Sequence, residues 1–311
     1  MRDGTSADRA AGGPDFVLGV DIGGTKIALA TADPAGGILR TARLDTRAWE
    51  GAGQAVERAL RAAADLRDAT PGRLLGVGVA APGVVHEDHI AYAPNIPGLA
   101  DIALRSRVAA VLGPAPVGVD NDVKAAGLAE ARWGALRGAD PGVYLNLGTG
   151  LAVALVAGGR VLRGAHGAAG EIGYLLRDRS DRAGVASGRA PLEEHVSGLG
   201  LARRAGEVLG GTWTTAELFA ATGDRARALV DEALDTLAVQ VANVATALDP
   251  EVVAVGGGMS AVSDRVLPAL ARRLAEAVPY PPALVTARFA TDAALRGALA
   301  LAPTGRDEGP A

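Results

Sequence analysis

Two glycine-rich bends and an aspartate stand out as residues able to do chemistry together. Asp21 is followed by Gly23, Gly24, Thr25 and Lys26, and farther along the chain Gly148-Thr149-Gly150 makes a second bend between strand-like runs. Consecutive glycines tolerate positive φ and carry no Cβ, so backbone N–H groups can converge on an anion and phosphate oxygens can approach the chain. One such bend is also what a tight hairpin uses; a matching pair suits a polyphosphate gripped from both sides. Asp122 lies where the strand-like run Val117–Asp120 gives way to the helical pattern Asp122–Trp133. A carboxylate there is either a helix N-cap or a base for a hydroxyl proton. In-line positioning, neutralised charge and a carboxylate near the attacking hydroxyl are what phosphoryl transfer needs.

The elements that position these residues read as a duplicated α/β arrangement. VDIGGTKIALATADPAGGILR (20–40) and YLNLGTGLAVALVAGGRVLR (144–163) share the order strand, glycine turn, strand, Gly-Gly, strand, an internal repeat at domain scale. Helical spacing covers Ala52–Leu66, Asp101–Leu112, Leu192–Leu209, Thr215–Ala220, Arg225–Leu248, Asp264–Ala277 and Ala293–Leu301, and strands are expected at Ile38–Leu44, Leu74–Ala80, Val252–Val255 and Leu284–Phe289. Two similar lobes with a cleft between them are implied.

Composition narrows the function classes. The 311 residues include no cysteine, which excludes disulfides, thiolate catalysis and cysteine-ligated metals. The net charge is −4 with basic residues dispersed, so no nucleic-acid or anionic-membrane footprint is visible. Residues 1–15 lack the apolar core of a signal peptide and no later run reaches 18 apolar residues, which predicts a cytoplasmic protein. GVDIGGTK (19–26) is not a P-loop, because Thr and Lys are in the wrong order and a strand follows; no G-x-G-x-x-G opens a helix after a strand either.

The segments VDIGGTK (20–26), APNIPGL (93–99), DNDVKAA (120–126), LNLGTG (145–150), RGAHGAAGEIG (163–173), LEEHVSG (192–198) and LDPEVVAVGGG (248–258) together resemble the ROK family of the sugar kinase, heat-shock and actin superfamily. The resemblance spans nearly the whole chain. It implies an α/β fold of two actin-like (RNase H-like) lobes, one over residues 15–120 completed by a C-terminal helix at 291–303, the other over 121–290. It also implies a hexose kinase that moves the γ-phosphate of MgATP to a sugar hydroxyl, usually that on C6. The first bend (Asp21, Gly23, Gly24, Thr25, Lys26) then serves phosphate and magnesium, with Asp21 holding Mg2+ through water. The second, with Thr149 and Gly150, serves phosphate, and Gly256, Gly257 and Gly258 form the adenosine-side loop. Asn95, Asn121, Asp122, Glu171, Tyr174 and Glu193 fall where the family holds the sugar, with Asp122 as general base. Family likeness further implies a homodimer or homotetramer whose partners are a sugar and a nucleotide, without nucleic acid or membrane.

Two departures from the family pattern matter. Most members carry a structural zinc on one His and three Cys; the corresponding positions here are Tyr174, Gly184, Ala186 and Pro191. No zinc is expected, with Arg177–Ala190 held by packing or mobile. A substitute site from His86, His89 or His195 is disfavoured, because HEDH (86–89) reads as a polar hairpin tip and a metal needs three or four convergent ligands. Ala152 replaces the family's usual glycine in the second bend, which raises a lapsed sugar-binding or sensory protein as the alternative. A transcriptional regulator is set aside, since the short segment before Leu18 cannot hold a DNA-reading helix pair.

Overall fold

Phe16–Ile22 is apolar at almost every position, as a strand covered on both faces must be, and it forms the central strand β1. The structure, a computed structural model, describes residues 13–86, 89–93, 95–259 and 263–304. The leaderless reading of residues 1–15 falls mostly on residues 1–12, outside that set. The chain divides into two units, residues 1–126 with 294–311 and residues 127–293. Among the described residues, no helix is long and apolar enough to cross a membrane.

In the first unit β1 pairs antiparallel with Lys26–Ala32 (β2), and β2 with Ile38–Asp45 (β3), as the glycine-tipped hairpin and meander predict. On its other side β1 pairs parallel with Leu74–Ala81 (β4). A two-residue hairpin follows, Val84–Val85 (β5) and Ile90–Ala91 (β6), and then Val117–Asn121 (β7) pairs parallel with β4. The sheet order is β3-β2-β1-β4-β7. His86 and His89 sit at the tip of the small hairpin with rings stacked 4.4 Å apart, as expected of a polar tip.

One sheet face, with Leu18, Val20 and Ile22, is covered by Ala52–Asp68 (α1) and Leu104–Leu112 (α2). The second helix starts later than its apolar spacing suggests: Leu99–Asp101 makes a separate 3-10 turn and Ile102 is extended. The opposite face is built for a backbone rather than for side chains. The C-terminal helix Ala293–Leu301 (α9) lies on Gly19, Gly78 and Gly118. A Cβ at Gly78 would overlap the Ala298 carbonyl oxygen, one at Gly118 that of Leu301, and one at Gly19 would come within 2.9 Å of the Leu299 nitrogen.

The second unit repeats the pattern. Within Asp122–Trp133 (α3), the chain crosses from one unit to the other between Ala126 and Gly127. Gly142–Leu147 (β8), Leu151–Ala157 (β9) and Arg160–Val161 (β10) form an antiparallel meander. Pro191–Val196 (α4), Gly198–Leu209 (α5), Thr215–Ala220 (α6) and Asp224–Leu248 (α7) precede Val252–Gly256 (β11), which pairs parallel with β8. Ser263–Ala277 (α8) leads to Ala283–Thr286 (β12), parallel to β11. The order β10-β9-β8-β11-β12 matches the first sheet strand for strand. Leu229, Val230, Leu237 and Val241 of α7 pack among Val143, Leu145, Val153 and Val253 to form this unit's own core.

Candidate active site

β1, β4 and β7 are parallel, so their carboxyl ends lie side by side, the edge at which open α/β sheets bind ligands. Asp21, Ala80 and Asp120 are register partners there. Asn121 is the buried cap of α3: its Oδ1 accepts from the N–H groups of Val123 (2.9 Å) and Lys124 (3.2 Å), and its Nδ2 donates to the Gly83 carbonyl (2.9 Å). The capping role that a carboxylate at position 122 would otherwise fill is thus taken by its neighbour. Asp122 is the first residue of α3, half-buried, with Oδ1 accepting from Val123 N–H at 2.9 Å.

Asp21, next to last in β1, is close enough to Asp122 for the two charges to interact. Burial first, then the charge of Asp122, partly offset by Arg43, push the Asp21 carboxyl up to about 7. A carboxylate so destabilised, with a second one beside it, is a fit for a hard divalent cation. Mg2+ typically takes one or two carboxylates and completes its shell with water and substrate phosphate. Among the described residues no group of three or more His, Asp or Glu could hold a metal by itself.

The pH consequence has a definite sign. The folded chain holds a proton on Asp21 that the unfolded chain has released above 3.8, so the contribution of Asp21 to stability is greatest below that pH and is lost as pH rises toward 7. In thermal melts without divalent ions, the Tm of the wild type relative to Asp21→Asn should therefore fall between these limits, the variant lacking that part of the slope. An unchanged slope in the variant would mean that Asp21 is ionised in the folded chain throughout.

The first bend is fixed by a residue that sequence reasoning missed. Buried Thr46 donates its N–H to the Thr25 carbonyl (3.0 Å) and its hydroxyl to the Gly23 carbonyl (2.6 Å), while Arg58 donates to the carbonyl of Thr46. Gly23 N–H closes the bend on the Lys26 carbonyl at 3.0 Å. Thr25 and Lys26 are exposed. Asn95 lies against Gly24, where an added Cβ would come within 3.3 Å of the asparagine Cβ. The first unit thus brings together Asp21 with Asp122, and Asn95 with the bend.

In the second unit the bend 148–150 is seated on a helix start. Gly198 N–H donates to the Gly148 carbonyl at 2.8 Å, and Ser197 caps α5 by accepting from Gly200 N–H at 3.1 Å. The apolar spacing of Leu192–Leu209 suggests one helix; the structure breaks it at Ser197, which is extended (φ −68°, ψ 162°). Ser-Gly-Leu-Gly at 197–200 is the signal for that break. Glu193 reaches back to the bend: its Oε2 accepts Leu151 N–H at 2.8 Å, and a Cβ on Gly150 would meet the same oxygen at 2.8 Å. Burial, then the charges of Glu171 and Glu194, raise its carboxyl, outweighing the Leu151 hydrogen bond. Tyr174 closes a 3-10 turn whose preceding residue is Glu171.

The loop 256–258 adjoins the same bend. A Cβ on Gly148 would lie 3.2 Å from Gly258 nitrogen, and Gly257, at φ +90°, passes the Leu147 carbonyl so closely that a Cβ would come within 2.6 Å of it. Ala152 pairs with Asn146 across β8 and β9, and Asn146 abuts Gly257. Its methyl therefore sits on the strand face shared with this loop.

Residues 177–190 are held neither by packing nor left without anchors. Arg177 binds Asp181 through its guanidinium and through its own N–H (2.7 Å), and also reaches His195 Nδ1 at 3.1 Å. Glu194 receives Arg189 and the Ala190 N–H (3.0 Å). Arg177 and Arg189 hold the Asp181 and Glu194 carboxyls down to about 2. Ion pairs do the tethering here, while Leu175, Leu176 and Val185 remain exposed.

Over residues 17–305 the chain matches the ROK family. It is 33% identical over 276 residues to the glucokinase of Halalkalibacterium halodurans, covering 81% of this chain and 83% of that one. It is 31% identical to the N-acetylmannosamine kinase of Salmonella heidelberg strain SL476, covering 92% and 97% of the two chains. Among solved structures, the ROK family glucokinase of Streptomyces griseus in complex with glucose and AMPPNP superposes with a TM-score of 0.74 at 29% identity, covering 92% of this chain and 99% of that one.

Proposed function

The chain belongs to the ROK family and is a sugar kinase, and on that premise we propose that it transfers the γ-phosphoryl group of ATP to the C6 hydroxyl of glucose or a related hexose or amino sugar, with Asp122 as general base. The observation that carries this reading is the division of labour at the start of α3. Asn121 caps the helix and Asp122, one residue on, lies beside Asp21 at the strand ends. A carboxylate not needed as a cap can accept the proton of an attacking hydroxyl as the O–P bond forms and the bond to ADP breaks.

The remaining residues divide by chemistry. The bends at Gly23, Gly24, Thr25 and Lys26 and at Thr149 and Gly150 offer backbone donors to phosphate oxygens, and Gly256, Gly257 and Gly258 approach the adenosine side. Asn95, Asn121, Glu171, Tyr174 and Glu193 orient sugar hydroxyls. For Asn121 this leaves the second Nδ2 hydrogen, since its other capacity goes to the backbone, and for Glu193 it leaves Oε1. Mg2+, held by Asp21 through water, supplies charge neutralisation to the phosphates when bound. The raised carboxyl of Asp21 supports that assignment, because a cation offsets both the burial and the repulsion by Asp122 that raise it.

A coupled ADP-release screen over hexoses and amino sugars tests the reading. Turnover is expected on at least one six-carbon sugar with a free C6 hydroxyl and on none lacking it, and metal analysis of the same preparation should return far less than stoichiometric zinc. No turnover on any sugar would favour the lapsed binder that Ala152 raises.

A further inference from the structure

Against the segment 177–190 lies a cavity of about 380 Å³ that the reaction does not use. It is formed within the second unit alone, and five arginines line it: Arg177, Arg182, Arg189, Arg203 and Arg204. Only two carboxylates, Asp181 and Glu194, line it with them. Glu193 turns toward Leu151, while the next residues on α4, Glu194 and His195, face this cavity.

The arginines are unequally satisfied. Arg177 is spent on Asp181, Arg189 on Glu194, and Arg204 on Glu232 (2.7 Å) and the His195 carbonyl (2.9 Å). Arg203 reaches Glu194 only at 3.5 Å and Glu207 at 3.8 Å, and Arg182 makes no hydrogen bond or ion pair among the described residues. Burial first, then Arg204 and Arg177, lower the pKa of His195 to about 4 despite Glu232 and Asp181, so it adds no charge at neutral pH.

We propose that this arginine-lined cavity binds a small phosphate-bearing anion, with Arg182 and Arg203 as its principal ligands. Guanidinium forks suit phosphate oxygens bidentately, and the volume admits a sugar phosphate as readily as inorganic phosphate or pyrophosphate. Arg182 and Arg203 are exposed, so binding there would weaken as salt screens them. The site does not depend on which sugar the enzyme accepts or on the role of Asp122.

Isothermal titration of the full chain with inorganic phosphate, pyrophosphate and glucose 6-phosphate tests this, each run with a non-hydrolysable ATP analogue at saturation so that the proposed nucleotide site is filled. Saturable binding is expected for at least one of the three, weakened by about tenfold or more in Arg182→Ala/Arg203→Ala. Tightest binding by glucose 6-phosphate would mark a sugar phosphate as the ligand, and tightest binding by pyrophosphate an inorganic one. Absence of saturable binding up to about 10 mM, or equal binding by the double variant, overturns the proposal. If the alanine variant melts early, Arg182→Lys/Arg203→Lys decides: it keeps the charge, loses the fork and is expected to bind more weakly, and unchanged affinity again overturns it.

Discussion

Asp122→Ala is expected to lower kcat by about 10²–10⁴-fold, the usual effect of removing a general base, while KM for ATP stays within a few fold. The substitution separates catalysis from folding because the N-cap of α3 is Asn121, whose hydrogen bonds to Val123 and Lys124 remain. The substitution removes, among the interactions of Asp122, its bond to Val123 N–H and a negative charge in the first helical turn, the latter worth about 1 kcal/mol or less. The melting temperature should therefore move little. Removing this charge also lowers the Asp21 carboxyl in part, while burial, the larger cause, keeps it raised. A kcat loss under about tenfold, with the chain still folded, would take the proton-accepting role away from Asp122.

The second large effect concerns stability. Gly78→Ala should destabilise the first unit by about 3 kcal/mol or more, at or beyond the usual range for overpacking, because the added methyl overlaps the Ala298 carbonyl. Relief requires lifting α9 from the sheet; the backbone atoms that block the methyl, including Ala302 nitrogen at 2.8 Å, cannot rotate away as a side chain would. Hydrogen exchange should then show α9 amides losing protection ahead of α1. Gly53→Ala is the control: Gly53 is exposed within α1 with nothing near its absent Cβ, so this change should stabilise by up to about 1 kcal/mol. Equal melting of both variants would show that α9 does not need the glycine row.

Much of the fold was legible because it depends on local signals. The glycine bends and the Gly-Gly turns after them carry the repeat, and both meanders form where those signals stand. Asp122–Trp133 is a helix over the residues that its spacing indicates. The misses share a cause: a partner distant in sequence decides. Leu284–Phe289 reads as one strand, yet β12 ends at Thr286, because Phe289 N–H is taken by Glu130 Oε1 (2.8 Å) and Arg288 donates to the Trp133 carbonyl (2.7 Å).

Glu130 itself is wholly buried, both oxygens committed to backbone N–H groups of Phe289 and Ala135, although a glutamate on a helix reads as a solvent residue. Within the site, the types of residue were readable and their supports were not. Thr46 follows two strands, β2 and β3, after the bend that it fixes, and nothing in its neighbours marks it. The arginine-carboxylate tether of 177–190 was likewise invisible, since scattered arginines reveal no pairing until the loop is folded.

The glycine row under α9 also constrains how a nascent chain matures. Everything that the second unit packs lies within residues 127–293, whereas the first unit draws on residues after 293 to cover one side of its sheet. During synthesis the half made earliest must therefore wait, a bare glycine-and-alanine surface in water, while the half made later can already close. Birth order and maturation order are inverted, and the interval between them is when this protein most needs a chaperone's shelter.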